Sequence, residues 1–301
     1  MITPPYLKKG DTIGLAAPAR KISRLELQAA INLFESWGLN TVFAENLFEN
    51  HHQYAGTDSQ RVAGMQQLMD EPSVKAILCA RGGYGTVRMV DGLDFSRFRE
   101  TPKWIAGYSD ITVLHAHIHQ QLQMETLHGT MPINFATNTP QSLESLRKAL
   151  FGESQVYTMP HHLLNKAGSA SAPVVGGNLS VLYALSGSAS QLDTDGTILF
   201  LEDLEEYLYH IDRMMMQLQR SHKLKNLAGL LVGGMNNMND NAIAFGKTAY
   251  EIIAEHVAEY DYPVCFGFPA GHIDNNHALI LGRTMHLHVN ENAESVLRGL
   301  F

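Results

Sequence analysis

Two hydrophobic textures alternate along the first half of the chain. Short apolar runs at residues 11–17, 41–44, 74–79 and 104–106 read as strands. Between them apolar positions recur at helical spacing. Leu25, Leu27, Ile31, Leu33, Phe34 and Trp37 mark one helix, with Gly38 as its stop. Gly56-Thr57-Asp58 opens a second helix to about residue 69, with Val62, Met65 and Leu68 on one side. Ile111, Leu114, Ile118 and Leu122 mark a third, and residues 142–151 a fourth. Strands alternating with helices imply right-handed βαβ units and an α/β fold, a mostly parallel, Rossmann-like sheet flanked by helices. The run at 74–79 is unbroken after Lys75, as a strand buried on both faces would be.

The texture changes after residue 152. Residues 153–173, rich in Ser, Gly, Pro, His and Ala, read as a linker between an N-terminal domain, 1–152, and a C-terminal α/β domain, 174–301. In the second half strands are expected at 197–201, 227–232 and 263–266, and helices at 179–185, 211–218 and 242–258. Residues 278–281 and 285–289 flank Gly282-Arg283 as a hairpin would.

Composition narrows the classes. Across 301 residues, 45% are hydrophobic and 17% charged, the balance of a globular protein. A net charge of -8 with no basic cluster argues against nucleic acid or anionic lipid as the main partner. Cys79 and Cys265 each lie in an apolar run and imply no disulfide framework. No run approaches the ~18 apolar residues of a membrane span, and residues 1–10 lack a signal-peptide core. A cytoplasmic protein is expected.

The chemistry centres on Gly107-Tyr108-Ser109-Asp110. Ser109 stands where a strand stops and a helix begins, the setting of a nucleophile elbow, although Ile111 replaces the second glycine of that motif. Ser109 or Asp110 could instead serve only as a helix N-cap. An activated serine needs a base, and the base an orienting carboxylate. Glu202 ends a strand and His272 follows one, so both are placed to face a crevice. Each has a plain alternative: Glu202 belongs to an acidic run, Glu202-Asp203-Leu204-Glu205-Glu206, and His272 is one of fifteen histidines. Residues 81–85, Arg-Gly-Gly-Tyr-Gly, directly follow a buried strand. Backbone N–H of Gly82 or Gly83 could join that of Asp110 in an oxyanion hole. The fingerprints of dinucleotide and nucleotide loops are absent. His115 and His119 have the spacing of two zinc ligands, but His-Glu-x-x-His is not met.

Six segments now stand in order: Tyr54-Ala-Gly-Thr-Asp58, Arg81–Gly85, Gly107–Asp110, Gly176-Gly-Asn-Leu179, Leu201-Glu-Asp203 and Gly271-His272. In this arrangement the chain resembles the L,D-carboxypeptidase family of serine peptidases, to which the muramoyltetrapeptide carboxypeptidases belong. The resemblance implies a Ser–His–Glu triad of Ser109, His272 and Glu202, with the serine on the N-terminal domain and the other two on the C-terminal one. It implies a homodimer, no metal and no cofactor. The implied reaction removes a terminal D-alanine from a murein tetrapeptide, with Arg81 as the candidate holder of the terminal carboxylate. A self-immunity hydrolase that cleaves a toxic peptide–nucleotide would use the same triad. A non-catalytic peptide-binding protein and a metalloenzyme are the remaining alternatives.

Overall fold

The computed structural model describes residues 1–299. In chain order the first half holds β1 (Thr12–Ala16), α1 (Arg24–Ser36), β2 (Asn40–Phe43), α2 (Asp58–Asp70), β3 (Val74–Cys79), α3 (Ser96–Glu100), β4 (Trp104–Gly107), α4 (Thr112–Leu122), β5 (Thr126–His128) and α5 (Pro140–Phe151). The second half holds β6 (Val156–Met159), β7 (Gly168–Asn178), α6 (Leu179–Ala184), β8 (Ile198–Leu204), α7 (Leu208–Arg220), β9 (Gly229–Asn236), α8 (Ala249–His256), β10 (Val264–Phe266), β11 (Leu279–Leu281), β12 (Thr284–Val289) and β13 (Ser295–Gly299).

The first sheet has the order β11-β5-β4-β3-β1-β2, parallel except for β11. Chain order reverses between β1 and β3, which opens a crevice at their carboxyl ends. Every residue of β4, and all of β3 but Lys75, is buried, as expected of strands covered on both faces. Capping boxes Ser23/Glu26 and Thr57/Gln60 start α1 and α2, each cap worth about 1 kcal/mol. The second sheet, β10-β9-β8-β7-β12-β13-β6, is parallel through β7–β10 and antiparallel beyond.

Several expectations need correction. Residues 153–173 are not a linker: they contain β6 and the first part of β7. The small side chains hide the alternation. Ser169 and Ser171 face outward, bonded to His288 and His286, while Ala172 and Val174 are buried. Residues 278–289 form no hairpin. β11 joins β5 in the first sheet and β12 joins β7 in the second, so the chain crosses between sheets at Gly282-Arg283. Arg283 fixes the crossing by pairing with Glu125 at 2.6 Å. The last long helix starts at Ala249 rather than 242, because Thr248 caps it and the Asp240 carboxylate ties residues 241 and 245 into a loop. Leu25, expected on the apolar face of α1, is exposed, since Leu27, Ala30 and Phe34 form the buried stripe. The cysteines are buried and unpaired.

Candidate active site

Ser109 sits at the carboxyl end of β4, in a short 3₁₀ turn that leads into α4. Its φ of 63° is left-handed, a conformation that costs a non-glycine residue of order 1 kcal/mol or more. Strain of this kind marks a sharp strand-to-helix elbow. Ile111, where the elbow motif has glycine, is fully buried and packs over Gly107. Tyr108 is buried and donates from its hydroxyl to Asn134 at 3.2 Å.

From the other sheet come Glu202, near the end of β8, and His272, after β10. Glu202 is fully buried. His272 Nδ1 lies 2.7 Å from Glu202 Oε2. An ionised carboxylate can only accept, so Nδ1 carries the hydrogen and Nε2 is left as the acceptor. Burial pulls the proton affinity of His272 down, but the charges of Glu202, Asp203 and Glu205 outweigh it and the net shift is upward. Gly271 makes this pair possible. At its φ of 110°, a Cβ would stand 2.7 Å from the Glu202 Cβ.

The imidazole ring of His272 lies 4.8 Å, centre to centre, from the ring of Tyr108, the residue before Ser109. The structure thus joins Glu202 to His272 and sets both beside the serine turn. No hydrogen bond links Ser109 to His272 among the described residues, and such bonds often tighten only with substrate in place.

The acidic run separates by role. Asp203 turns away from His272 and accepts from Asn178 Nδ2 at 2.9 Å and Ser180 N at 2.8 Å, anchoring the start of α6. Burial, then the neighbouring Glu202 charge, raises it to about 7. Glu206 pairs with His210 at 2.5 Å.

The loop after β3 closes over the serine from the first sheet. Gly82 lies against the Ser109 side chain: a Cβ there would be 3.5 Å from Oγ. The N–H groups of Gly82, Gly83 and Asp110 donate to no acceptor within the chain among the described residues. The Asp110 side chain does different work from its backbone. One carboxylate oxygen accepts from Thr86 N at 2.9 Å and Thr86 Oγ1 at 2.6 Å, which ties the glycine loop to the serine turn. Thr86 was not singled out in the sequence, although it directly follows the glycine-rich motif. Arg81 points elsewhere. Its guanidinium bonds Lys21 O at 3.3 Å and lies 3.6 Å from Glu26, toward the start of α1.

The histidine cluster on α4 does not converge. His115 Nε2 bonds Gly107 O at 2.9 Å, half-buried His117 bonds Ser190 Oγ, and His119 is buried. Among the described residues no group of three or more His, Cys, Asp or Glu side chains is arranged to hold a metal ion.

Two family models cover most of the sequence: an LD-carboxypeptidase N-terminal domain over residues 13–129 and an LD-carboxypeptidase C-terminal domain over residues 171–287. The chain belongs to the LD-carboxypeptidase family. This LD-carboxypeptidase is 35% identical to the probable murein peptide carboxypeptidase of Bacillus subtilis, over 99% of its own length and 95% of the relative's. It is 28% identical to the murein tetrapeptide carboxypeptidase of Pseudomonas aeruginosa, over 92% and 93%. Its fold matches the crystal structure of muramoyltetrapeptide carboxypeptidase from Oxalobacter formigenes with a TM-score of 0.87, at 24% identity over 96% and 99% of the two chains. Ser109 lies within the first matched segment, and Glu202 and His272 lie within the second.

Proposed function

We propose that this carboxypeptidase removes the terminal D-alanine from murein tetrapeptides in the cytoplasm, as a step of peptidoglycan recycling, with Ser109, His272 and Glu202 as its triad. The observation that carries the triad is the Glu202–His272 hydrogen bond beside a strained serine turn. The names of the relatives support the substrate. Ser109 Oγ attacks the carbonyl before D-alanine and His272 Nε2 takes its proton. Glu202 holds the tautomer and balances the imidazolium. N–H groups of Asp110 and of Gly82 or Gly83 receive the oxyanion. His272 then protonates the departing amine, and water, activated by the same imidazole, releases the tripeptide from Ser109.

Incubation with a murein tetrapeptide should yield free D-alanine and tripeptide in equal amounts. A strain without the gene should accumulate the tetrapeptide in its cytosolic extract. Absence of release, with cleavage of a peptide–nucleotide amide instead, would move the assignment to an immunity hydrolase.

We also propose that the protein acts as a homodimer. Large apolar side chains on the C-terminal half stay exposed, with Leu163 at 91% and Ile243 at 89%, and Leu163 lines an apolar cleft of about 760 Å³. Light scattering should give about twice the 33.3 kDa chain mass; the monomer mass would refute the dimer.

A further inference from the structure

A carboxypeptidase must recognise the free carboxylate of the residue it removes. Arg81, the candidate from sequence, is already paired with Glu26. Arg61 and Arg88 both bind Asp58. Arg20 remains on this side of the first sheet, and it forms no ion pair among the described residues.

Its position is specific. Arg20 follows the carboxyl end of β1, and the glycine loop follows β3, so the two flank the crevice where the strand order reverses. Arg20 N donates to Gly82 O, which fixes its backbone to the loop. Its side chain lies across Gly83. There φ is 110°, and a Cβ would come within 2.5 Å of Arg20 Cδ and 2.7 Å of Nε. Glycine at 83 therefore leaves the room that the arginine stem occupies. The adjoining Gly82 touches Ser109. The Arg20 charge is also close enough to Asp110 to favour its ionised form, against the larger effect of burial. The guanidinium thus stands about one residue along the glycine loop from the nucleophile, exposed toward solvent. A leaving group of one amino acid spans only about 3.3–3.6 Å of chain.

We propose that Arg20 is the anchor for the terminal carboxylate of the substrate. This rests on the carboxypeptidase reading of Ser109. A guanidinium fork matches a carboxylate in a bidentate pair, and at the crevice mouth it would exclude substrates whose chain continues or whose end is neutral.

The test compares the purified wild type, Arg20→Gln and Arg20→Lys on a murein tetrapeptide and on the same peptide ending in a carboxamide. The wild type should prefer the free acid by about 10- to 100-fold in kcat/KM, the range of a charge-assisted hydrogen bond. Arg20→Gln should lose that factor on the acid, chiefly through KM, and keep the carboxamide rate. Arg20→Lys should fall between. Retained acid preference in Arg20→Gln would overturn the proposal. So would equal losses on both substrates, which would mean that Arg20 only supports the loop. If the wild type releases no D-alanine at all, the substrate reading falls and the anchor falls with it.

Discussion

Replacing Ser109 by alanine should cut turnover by about 10⁵-fold or more while leaving the melting temperature nearly unchanged. Removal of the serine from a comparable triad costs about 10⁶ in kcat, and the remaining oxyanion donors do not replace a nucleophile. Alanine keeps the left-handed backbone and its strain, so the fold loses only a hydroxyl. His272→Ala should lose a similar factor, yet it should also destabilise the protein. Glu202 is fully buried, and without its partner it becomes an unpaired charge, a change that costs about 3–5 kcal/mol. The double variant should be no slower than either single one, because the groups act as a unit. Turnover by Ser109→Ala within tenfold of the wild type would place the nucleophile elsewhere.

The asymmetry between those two variants reflects what a sequence can carry. Ser109 could be read from its neighbours: an apolar run, a glycine, then helical spacing. That local signal specifies an elbow, and the structure has one. Glu202 and His272 had no comparable signal. Within the acidic run, pattern alone does not say that Glu202 faces His272 while Asp203 caps α6, because one residue along a strand reverses the face. The family resemblance selected Glu202, and the hydrogen bond is consistent with it.

The parts of the fold that were not legible share a cause. β5 has three residues, and β7 is built largely from Gly, Ser and Ala, so neither shows hydrophobic contrast. β11 looks like half of a hairpin because its turn residues are the right kind. Its partner is fixed by a strand more than 150 positions earlier, since Leu279 pairs with His128. This long-range pairing makes the sheet that holds Ser109 continuous with chain from the half that carries His272. Arg20 likewise has no sequence signature; only the strand order brings the loop after β1 beside the loop after β3.

Acidification should weaken the fold steeply between about pH 6.5 and pH 4. His115, His119 and His128 are all buried. Burial lowers His115 and His119 to about 4, and lowers His128 well below the usual imidazole value, helped by the charges of His115 and His272. Both ring nitrogens of His128 lack a partner among the described residues, while its ring packs on Phe200 at 4.9 Å, so protonation there gains no counter-charge. The unfolded chain takes up these protons near pH 6.5, whereas the folded chain holds them off until lower pH. The unfolded state then binds more protons throughout the window, and stability falls as pH falls. His115 and His119 each contribute about 3 kcal/mol to that loss, and His128 adds to it. Asp110, Asp203 and His272 oppose the trend, since all three bind a proton more readily when folded; Asp203, raised to about 7, returns about 4 kcal/mol. The groups with stated values leave a net loss of about 2 kcal/mol, to which His128 adds, a sizeable part of an ordinary domain's stability of about 5–15 kcal/mol. Urea midpoints measured from pH 7 to pH 4 should therefore drop sharply. His128→Phe replaces the imidazole by a slightly larger aromatic ring that cannot take up a proton and strands no hydrogen-bond partner, so its midpoints should fall less across the same range. Parallel curves for the two proteins, or a flat one for the wild type, would show that the buried imidazoles do not govern acid stability.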